Sequence, residues 1–528
     1  MNPGQDDTTM IRHQPARRKN PMKYLLGIDL GTSGTRTVLF NRDGEVLRAK
    51  SVEYPLYQPH NGWAEQDPND WWEAAIATIS LVVKESGVEA RDIAALGISG
   101  QMHGLVMLDE QGEVLRPSII WADQRTGEEC GDITRAVGYD RLIEITANPA
   151  LTGFTASKIL WVKKHQPEIY ARCRHILLPK DYLRYKLTGD FATEVSDASG
   201  MQLLDVPKRR WSQEVLDKLG IHRDLLAAVY ESPEVTGHIS AQAARLTGLS
   251  QDTLVVGGAG DNAAAAVGTG TVRDGRAFTT IGTSGVVFAH SSKLAIDPKG
   301  RVHTFCCAVP GAWHVMGVLQ SAGLSKRWIR DTCCEKEIAE AEKINEDPYV
   351  LLDKLAKTSP VGANRLIYLP YLMGERTPHL DPDCRGTFFG LSAMHTKADL
   401  IRAVMEGVSY GLKDSLDILD GMGVRPDSML LTGGGAKSSF WRQVLADVFD
   451  CPVQTIRSSE CPALGVAILA GVGAGVYESV ESACEKLVKP ADVFEPDREN
   501  AAVYARYHKL YQQLYPALKD SWQALAKL

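Results

Sequence analysis

The chain has 528 residues, 44% of them hydrophobic and 23% charged, a globular balance that excludes an intrinsically disordered protein. Its 65 acidic residues outnumber 58 basic ones for a net charge of −7, which argues against a nucleic-acid binder held by phosphate contacts. Ten cysteines without a C-x-x-C pair fit neither a disulfide scaffold nor a zinc site, and no apolar run reaches the ~20 residues of a membrane span, so a reduced, cytoplasmic protein without a membrane partner is expected.

Residues 1–21 are polar and aperiodic and read as a disordered N-terminal tail. Beyond them, Tyr24–Ile28 reads as a buried strand and Thr37–Phe40 as its partner, joined by Asp29-Leu30-Gly31-Thr32-Ser33-Gly34-Thr35. Asn41-Arg42-Asp43-Gly44 is a turn signal, and Leu105–Leu108 followed by Asp109-Glu110-Gln111-Gly112 and Val114-Leu115 repeats the hairpin pattern. Helical periodicity follows Asp70 and Thr155 and returns from Lys397 through Leu419; strands alternating with helices make an α/β protein. The apolar strand Thr253–Val256 leads into Gly257-Gly258-Ala259-Gly260-Asp261-Asn262, and Met429–Thr432 leads into Gly433-Gly434-Gly435-Ala436-Lys437-Ser438 before a helix. The small, apolar run from Ala463 to Val476 suits a closely packed helix. The adjacent pairs Cys306-Cys307 and Cys333-Cys334 read as buried thiols.

The first strand–turn–strand recurs about half a chain length later. Gly31-Thr32-Ser33-Gly34 is echoed by Gly282-Thr283-Ser284-Gly285, again between apolar strands, which implies two related halves with a cleft between them. Turns built from Gly, Thr and Ser expose backbone N–H groups and add hydroxyls, the makings of a phosphate site. Facing one another, the two could grip a triphosphate from both sides, with the bare backbone at Gly433–Gly435 receiving a base or ribose. Asp29 beside phosphates makes sense with a hydrated magnesium ion between them, the alternative being a turn-forming role. Asp261 is either a helix cap or a base for phosphoryl transfer. Gly258–Ala263 also matches a loose dinucleotide fingerprint, but Gly268, Gly270 and Gly275 interrupt the helix that fingerprint requires. No G-K-[ST] occurs, so a P-loop kinase is excluded.

Taken together, GIDLGTSGTR at 27–36, GISGQMHG at 97–104, GGAGDNAA at 257–264, IGTSG at 281–285 and LTGGGAKS at 431–438 resemble the FGGY carbohydrate kinases. Segments 153–161 and 386–406 are similar to the signature segments of that family. The resemblance implies a two-domain ATPase fold of the actin, Hsp70 and hexokinase type, with a first lobe over 22–271 and a second over 272–528. QMHG at 101–104, WADQR at 121–125 and GERTPH at 374–379 are most similar to the branch that phosphorylates D-xylulose at its terminal hydroxyl; ribulose, gluconate and glycerol-like polyols are the alternatives, and a non-catalytic nucleotide-binding protein the remote one. It further implies that Asp261 is the general base and that Asp29 orients Mg²⁺ through water. Met102, His103, Trp121 and Asn262 would contact the sugar, Thr32, Ser33, Gly282 and Thr283 the phosphates, and Gly433, Gly434, Gly435 and Ser438 the adenosine of ATP. A homodimer is the expected assembly. The methyl of Ala259, where relatives carry glycine, is expected to narrow the approach to the phosphates.

Overall fold

The computed structural model describes residues 24–457 and 460–528; the expected N-terminal tail lies outside the described residues. Its first half is organised by one twisted sheet. The strands are β1 (Tyr24–Leu30), β2 (Gly34–Asn41), β3 (Val46–Glu53), β4 (Ile93–Gly100), β5 (Val235–His238), β6 (Leu254–Val256) and the short β7 (Ala259–Gly260). They run in the order β5-β6-β4-β1-β2-β3, with β7 beside β4. β1, β4, β6 and β7 are parallel, while β2, β3 and β5 run antiparallel to their neighbours. Helix α1 (Pro68–Ser86) starts from an Asp67 cap and covers β2 and β3 with Trp71, Ala75, Ile79 and Val82. Farther along are α2 (Thr155–His165), α3 (Pro179–Thr188), the single-turn α4 (Val195–Ala198) and α5 (Asp261–Gly268).

The second half repeats the plan. Here β8 (Arg276–Ile281), β9 (Gly285–Ser291), β10 (His303–Cys306), β11 (Trp313–Leu319), β12 (Ser428–Thr432), β13 (Val453–Ile456) and β14 (Pro490–Phe494) form the order β10-β11-β9-β8-β12-β13-β14. β8 pairs antiparallel with β9 and parallel with β12, as β1 does with β2 and β4, and each sheet ends on an antiparallel edge strand. The duplication read from the G-T-S-G echo therefore extends to the strand order and direction of both sheets. Helices α6 (Gly323–Cys333), α7 (Pro348–Ala356), the long buried α8 (Lys397–Gly421) and α9 (Ser439–Phe449) build the second core. The parallel strands of both sheets direct their C-terminal ends toward loops that carry the motifs, the usual place for a ligand in open α/β sheets.

Helix α10 (Cys461–Gly473) comes late in the chain but packs on the first sheet, against β1, β4 and α5. The approach is backbone to backbone: a Cβ on Gly27 would stand 2.0 Å from Ala463 O, one on Gly97 2.3 Å from Val466 O, and one on Gly465 1.9 Å from Ala264 O. This contact explains the Ala/Gly composition of the run. It also crosses the division expected near residue 272, since a helix from the second half completes the core of the first. Ala259 belongs to that core. Its side chain is fully buried with Ala263, Val267 and Ala463, so its methyl does not narrow the cleft. All ten cysteines are free; Cys306, Cys307 and Cys334 are buried as expected, whereas Cys333 is exposed.

Candidate active site

The two G-T-S-G loops follow corresponding strands and close in similar ways. After β1, Gly31 N–H closes on Gly34 O at 3.0 Å, while the carbonyls of Gly31, Thr32 and Ser33 accept from Tyr54 Oη, Gln66 Nε2 and Tyr54 N. After β8, Gly282 N–H closes on Ser284 O at 3.0 Å, and the carbonyls of Gly282 and Thr283 accept from the backbone at 322–324, where α6 begins. In both loops the protein occupies the carbonyls, and the amides of residues 32, 33, 283 and 284 have no acceptor among the described residues. Such turns present hydrogen-bond donors and little competing negative charge, which suits an anion. The N-terminus of α6 adds to the favourable field at the second loop.

The glycine cluster after β12 seats against this second loop. Gly433 adopts φ +79, and a Cβ there would lie 2.7 Å from Ile281 O; one on Gly435 would lie 2.6 Å from Ile281 Cβ. Beside them opens a cavity of about 300 Å³ lined by Gly282, Thr283, Gly434, Gly435 and Ser438 of the expected nucleotide residues. Gly433 makes the turn beneath it without lining it, and Ser438 Oγ caps α9 by accepting from Trp441 N. The rest of the wall comes from residues that the sequence analysis did not select, including Gly323, Lys326, Asp347, Tyr349 and Trp441. Lys326 is buried, pairs with Asp353 at 2.5 Å and lies over the rings of Tyr349 and Trp441. These side chains come from helices far apart in the chain, and no local spacing announces them.

The two aspartates stand on either side of β4, near enough for the charge of Asp29 to act on Asp261. Asp29 of β1 and Ala259 of β7 pair with Ser99 of β4 from opposite sides, and Asp261 begins α5 two residues later. Gly260, not Asp261, occupies the cap position of that helix. Asp261 Oδ1 accepts from the amide N (2.7 Å) and side-chain Nδ2 (2.9 Å) of Asn262, and Oδ2 has no partner among the described residues. Burial first, and the nearby Asp29 charge second, push the Asp261 carboxyl up to about 6. Burial also raises Asp29, with Glu460 adding to the rise and Arg36 opposing it. Two half-buried carboxylates that repel one another suit a divalent cation held near them, with its remaining positions filled by water and phosphate oxygens.

Of the expected sugar residues, Met102 and Asn262 touch the junction that carries Asp261. Met102 is 4% exposed and packs under Gly260, where a Cβ would meet its Sδ at 2.9 Å; it is a floor rather than an open contact. Trp121 is 45% exposed and donates its indole N–H to Thr32 Oγ1 at 3.0 Å, tying an expected sugar residue to the loop after β1. Asn262 spends its amide on Asp261. His103 sits at φ +70, with its carbonyl accepting from Lys158 Nζ (2.8 Å) and Thr155 Oγ1 (3.1 Å). Its Nδ1 is 2.9 Å from Gly200 O, an atom that can only accept, so Nδ1 carries the proton and Nε2 is an acceptor. Burial, with the Lys158 charge, lowers His103 to about 3, and the ring is neutral near pH 7. Phe154 and Phe305 flank it. Arg376, from the second half, lies close enough for its charge to act on His103 and His303; the Glu375 charge acts on it in turn, without a direct ion pair among the described residues. Lys158 and Arg376 lie in GFTASKILW and GERTPH, strings whose individual roles the spacing did not disclose.

Comparison with known proteins agrees with this geometry. The N-terminal domain of the FGGY family of carbohydrate kinases matches residues 24–268, and its C-terminal domain matches residues 277–474. The chain belongs to the FGGY carbohydrate kinases. It is 39% identical over 504 residues to the xylulose kinase of Bacillus subtilis (strain 168), covering 96% of this chain and 99% of that protein. It is 32% identical to the gluconokinase of the same organism over 508 residues, 95% of this chain and 98% of the relative. A ligand-bound xylulose kinase structure from Lactobacillus acidophilus superposes with a TM-score of 0.89 at 29% identity, covering 95% of this chain and all (100%) of that one. This FGGY kinase is thus an ATP-dependent carbohydrate kinase with the two-domain fold of the actin and hexokinase type. Among the described residues no helix is long and apolar enough to cross a membrane.

Proposed function

We propose that this kinase transfers the γ-phosphoryl group of ATP to the terminal hydroxyl of D-xylulose, giving D-xylulose 5-phosphate and ADP. Adenosine occupies the cavity beside Gly434 and Gly435, and the phosphates lie between the amides of Thr32 and Ser33 and those at Gly282 and Thr283. Asp261 Oδ2 takes the proton of the terminal hydroxyl as that oxygen forms its bond to the γ-phosphorus. The bond from phosphorus to the β-γ bridging oxygen breaks, and the electron pair leaves with ADP. Positioning and charge neutralisation carry most of such a transfer, so a carboxylate near 6 is a sufficient base. Mg²⁺, held through water by Asp29, supplies neutralisation of the phosphate charge when bound. His103 Nε2 accepts from one sugar hydroxyl, Trp121 presents an apolar wall, and Asn262 holds Asp261 in place.

The observation that carries the reading is the unpartnered Oδ2 of Asp261, whose preceding Gly260 packs on Met102, the chain neighbour of a neutral, acceptor-only His103. Asp261 takes one hydroxyl proton, and His103 Nε2 accepts a hydrogen bond from another hydroxyl of the same polyol. A second reading, gluconate, is favoured by Arg376, whose charge reaches His103 and which makes no direct ion pair among the described residues, and by the gluconokinase relative. Coupled ADP release with MgATP and a panel of D-xylulose, D-ribulose, gluconate and glycerol tests both. The highest kcat/KM is expected with D-xylulose; a higher value with gluconate reverses the choice, and no sugar-stimulated ADP release from a nucleotide-binding protein overturns the enzyme reading.

A further inference from the structure

The loop that delivers Asp261, Gly257-Gly258-Ala259-Gly260, carries no side chain larger than a methyl, so apart from the buried Ala259 its anchors are made through the backbone. It is held from beneath. Gly260 N–H donates to Ser196 Oγ at 3.1 Å, Gly258 N–H donates to Ser232 O at 3.1 Å, and Lys180 Nζ stands 3.4 Å from Gly257 O. These three supports converge on one carboxylate. Ser196 Oγ donates to Glu194 Oε1 at 2.9 Å, Ser232 Oγ donates to Oε2 at 2.8 Å, and Lys180 Nζ lies 3.4 Å from Oε1. Glu194 also accepts the amides of Ser196 and Asp197 as the cap of α4. Lys180, Glu194, Ser196 and Ser232 are each at most 1% exposed. On the opposite side Met102 presses on Gly260, leaving no room for a Cβ.

The hydroxyl of Ser196 is fully specified: its proton goes to Glu194, and its lone pair receives the peptide N–H directly before Asp261. No other side chain makes a hydrogen bond to the backbone of Gly260 among the described residues. We propose that Ser196, oriented by Glu194, is a positioning residue for phosphoryl transfer, fixing the Ala259–Gly260 peptide, one before that of Asp261, so that the free carboxylate oxygen meets the sugar hydroxyl. This rests on Asp261 being the base. Lys180 ties the platform together through a buried ionic cluster, pairing with Asp181 at 2.7 Å and lying 3.4 Å from Glu194 and 3.7 Å from Asp197. Small displacements of a reacting group are expensive in rate, so a link one peptide from the base is felt in turnover before it is felt in binding.

The test is steady-state kinetics with D-xylulose and MgATP, alongside sugar binding by calorimetry. Ser196→Ala lowers kcat about 10- to 100-fold while sugar affinity and the KM for ATP stay near those of the unaltered enzyme, and Ser196→Thr, which keeps the hydroxyl, restores kcat. In an Asp261→Asn background the Ser196→Ala change has little further effect, because it acts through the missing carboxylate. Unchanged kcat in Ser196→Ala, equal losses in the Ala and Thr variants, or a full additional loss in the Asp261→Asn background overturns the proposal. Normal turnover of Asp261→Asn alone instead overturns the base assignment, so the two failures are distinguishable.

Discussion

Replacing Asp261 with asparagine removes a charge that the folded protein holds unfavourably, and stability and activity should move in opposite directions. Its carboxyl is pushed from 3.8 to about 6 by burial and by Asp29, so its ionised form at pH 7 destabilises the fold by about 2–3 kcal/mol, the lower figure allowing for solvent in the cleft. Asparagine keeps an oxygen that accepts from Asn262 N and Nδ2, so the local hydrogen bonds survive the change. The sign follows from the raised value: below 3.8 the native side chain is protonated and nearly matches asparagine, the gap opens between pH 3.8 and about 6, and it stays level above that. Denaturant unfolding of both proteins from pH 4 to pH 8, free of nucleotide, sugar and magnesium, measures the gap as a difference in midpoint at constant slope. Turnover of the same variant falls about 10²- to 10⁴-fold. A variant less stable than the native protein at pH 7, or a gap that widens as pH falls, refutes the electrostatic reasoning.

Other perturbations separate the parts of the site. His103→Ala raises the KM for the sugar by about tenfold or more through the lost acceptor, with the KM for ATP unmoved in the same coupled assay. Lys158→Met deletes the donor to the His103 carbonyl and is expected to raise the sugar KM by a similar, roughly tenfold factor, with circular dichroism unchanged. Gly323→Ala places a Cβ 2.2 Å from Gly282 O; it weakens ATP binding by about tenfold and leaves calorimetric sugar binding intact. The kcat/KM for sugar falls below about pH 6, where Asp261 gains a proton, and higher free magnesium moves that limb to lower pH because the cation favours the ionised carboxylates.

Local sequence disclosed the parts of the site that a few consecutive residues build. The G-T-S-G turns, the strand leading into Asp261 and the triple glycine after β12 each satisfy a backbone requirement written in adjacent positions, and their repetition predicted two lobes before any strand order was known. The capping reading of Asp261 could not be dismissed from sequence, because a strand–Gly–Asp–helix junction places a cap and a first-turn carboxylate one residue apart. Residues that act through tertiary contact were illegible. Lys326, Tyr349 and Trp441 reach one cavity from three different helices, and Lys158 serves a carbonyl 55 positions away. The orientation of the Ala259 methyl depends on the pleat of β7 beside β4 and on the late arrival of α10, which no local pattern encodes. The same holds for Ser196 and Glu194, whose value lies in what they hold rather than in their own chemistry.

The most direct test of the account is a structure of the kinase with D-xylulose, magnesium and a non-hydrolysable ATP analogue bound together. The terminal hydroxyl should lie within about 3 Å of Asp261 Oδ2 and in line with the γ-phosphorus, while His103 Nε2 accepts from a second hydroxyl. A sugar bound with its terminal hydroxyl turned away from Asp261 would contradict it.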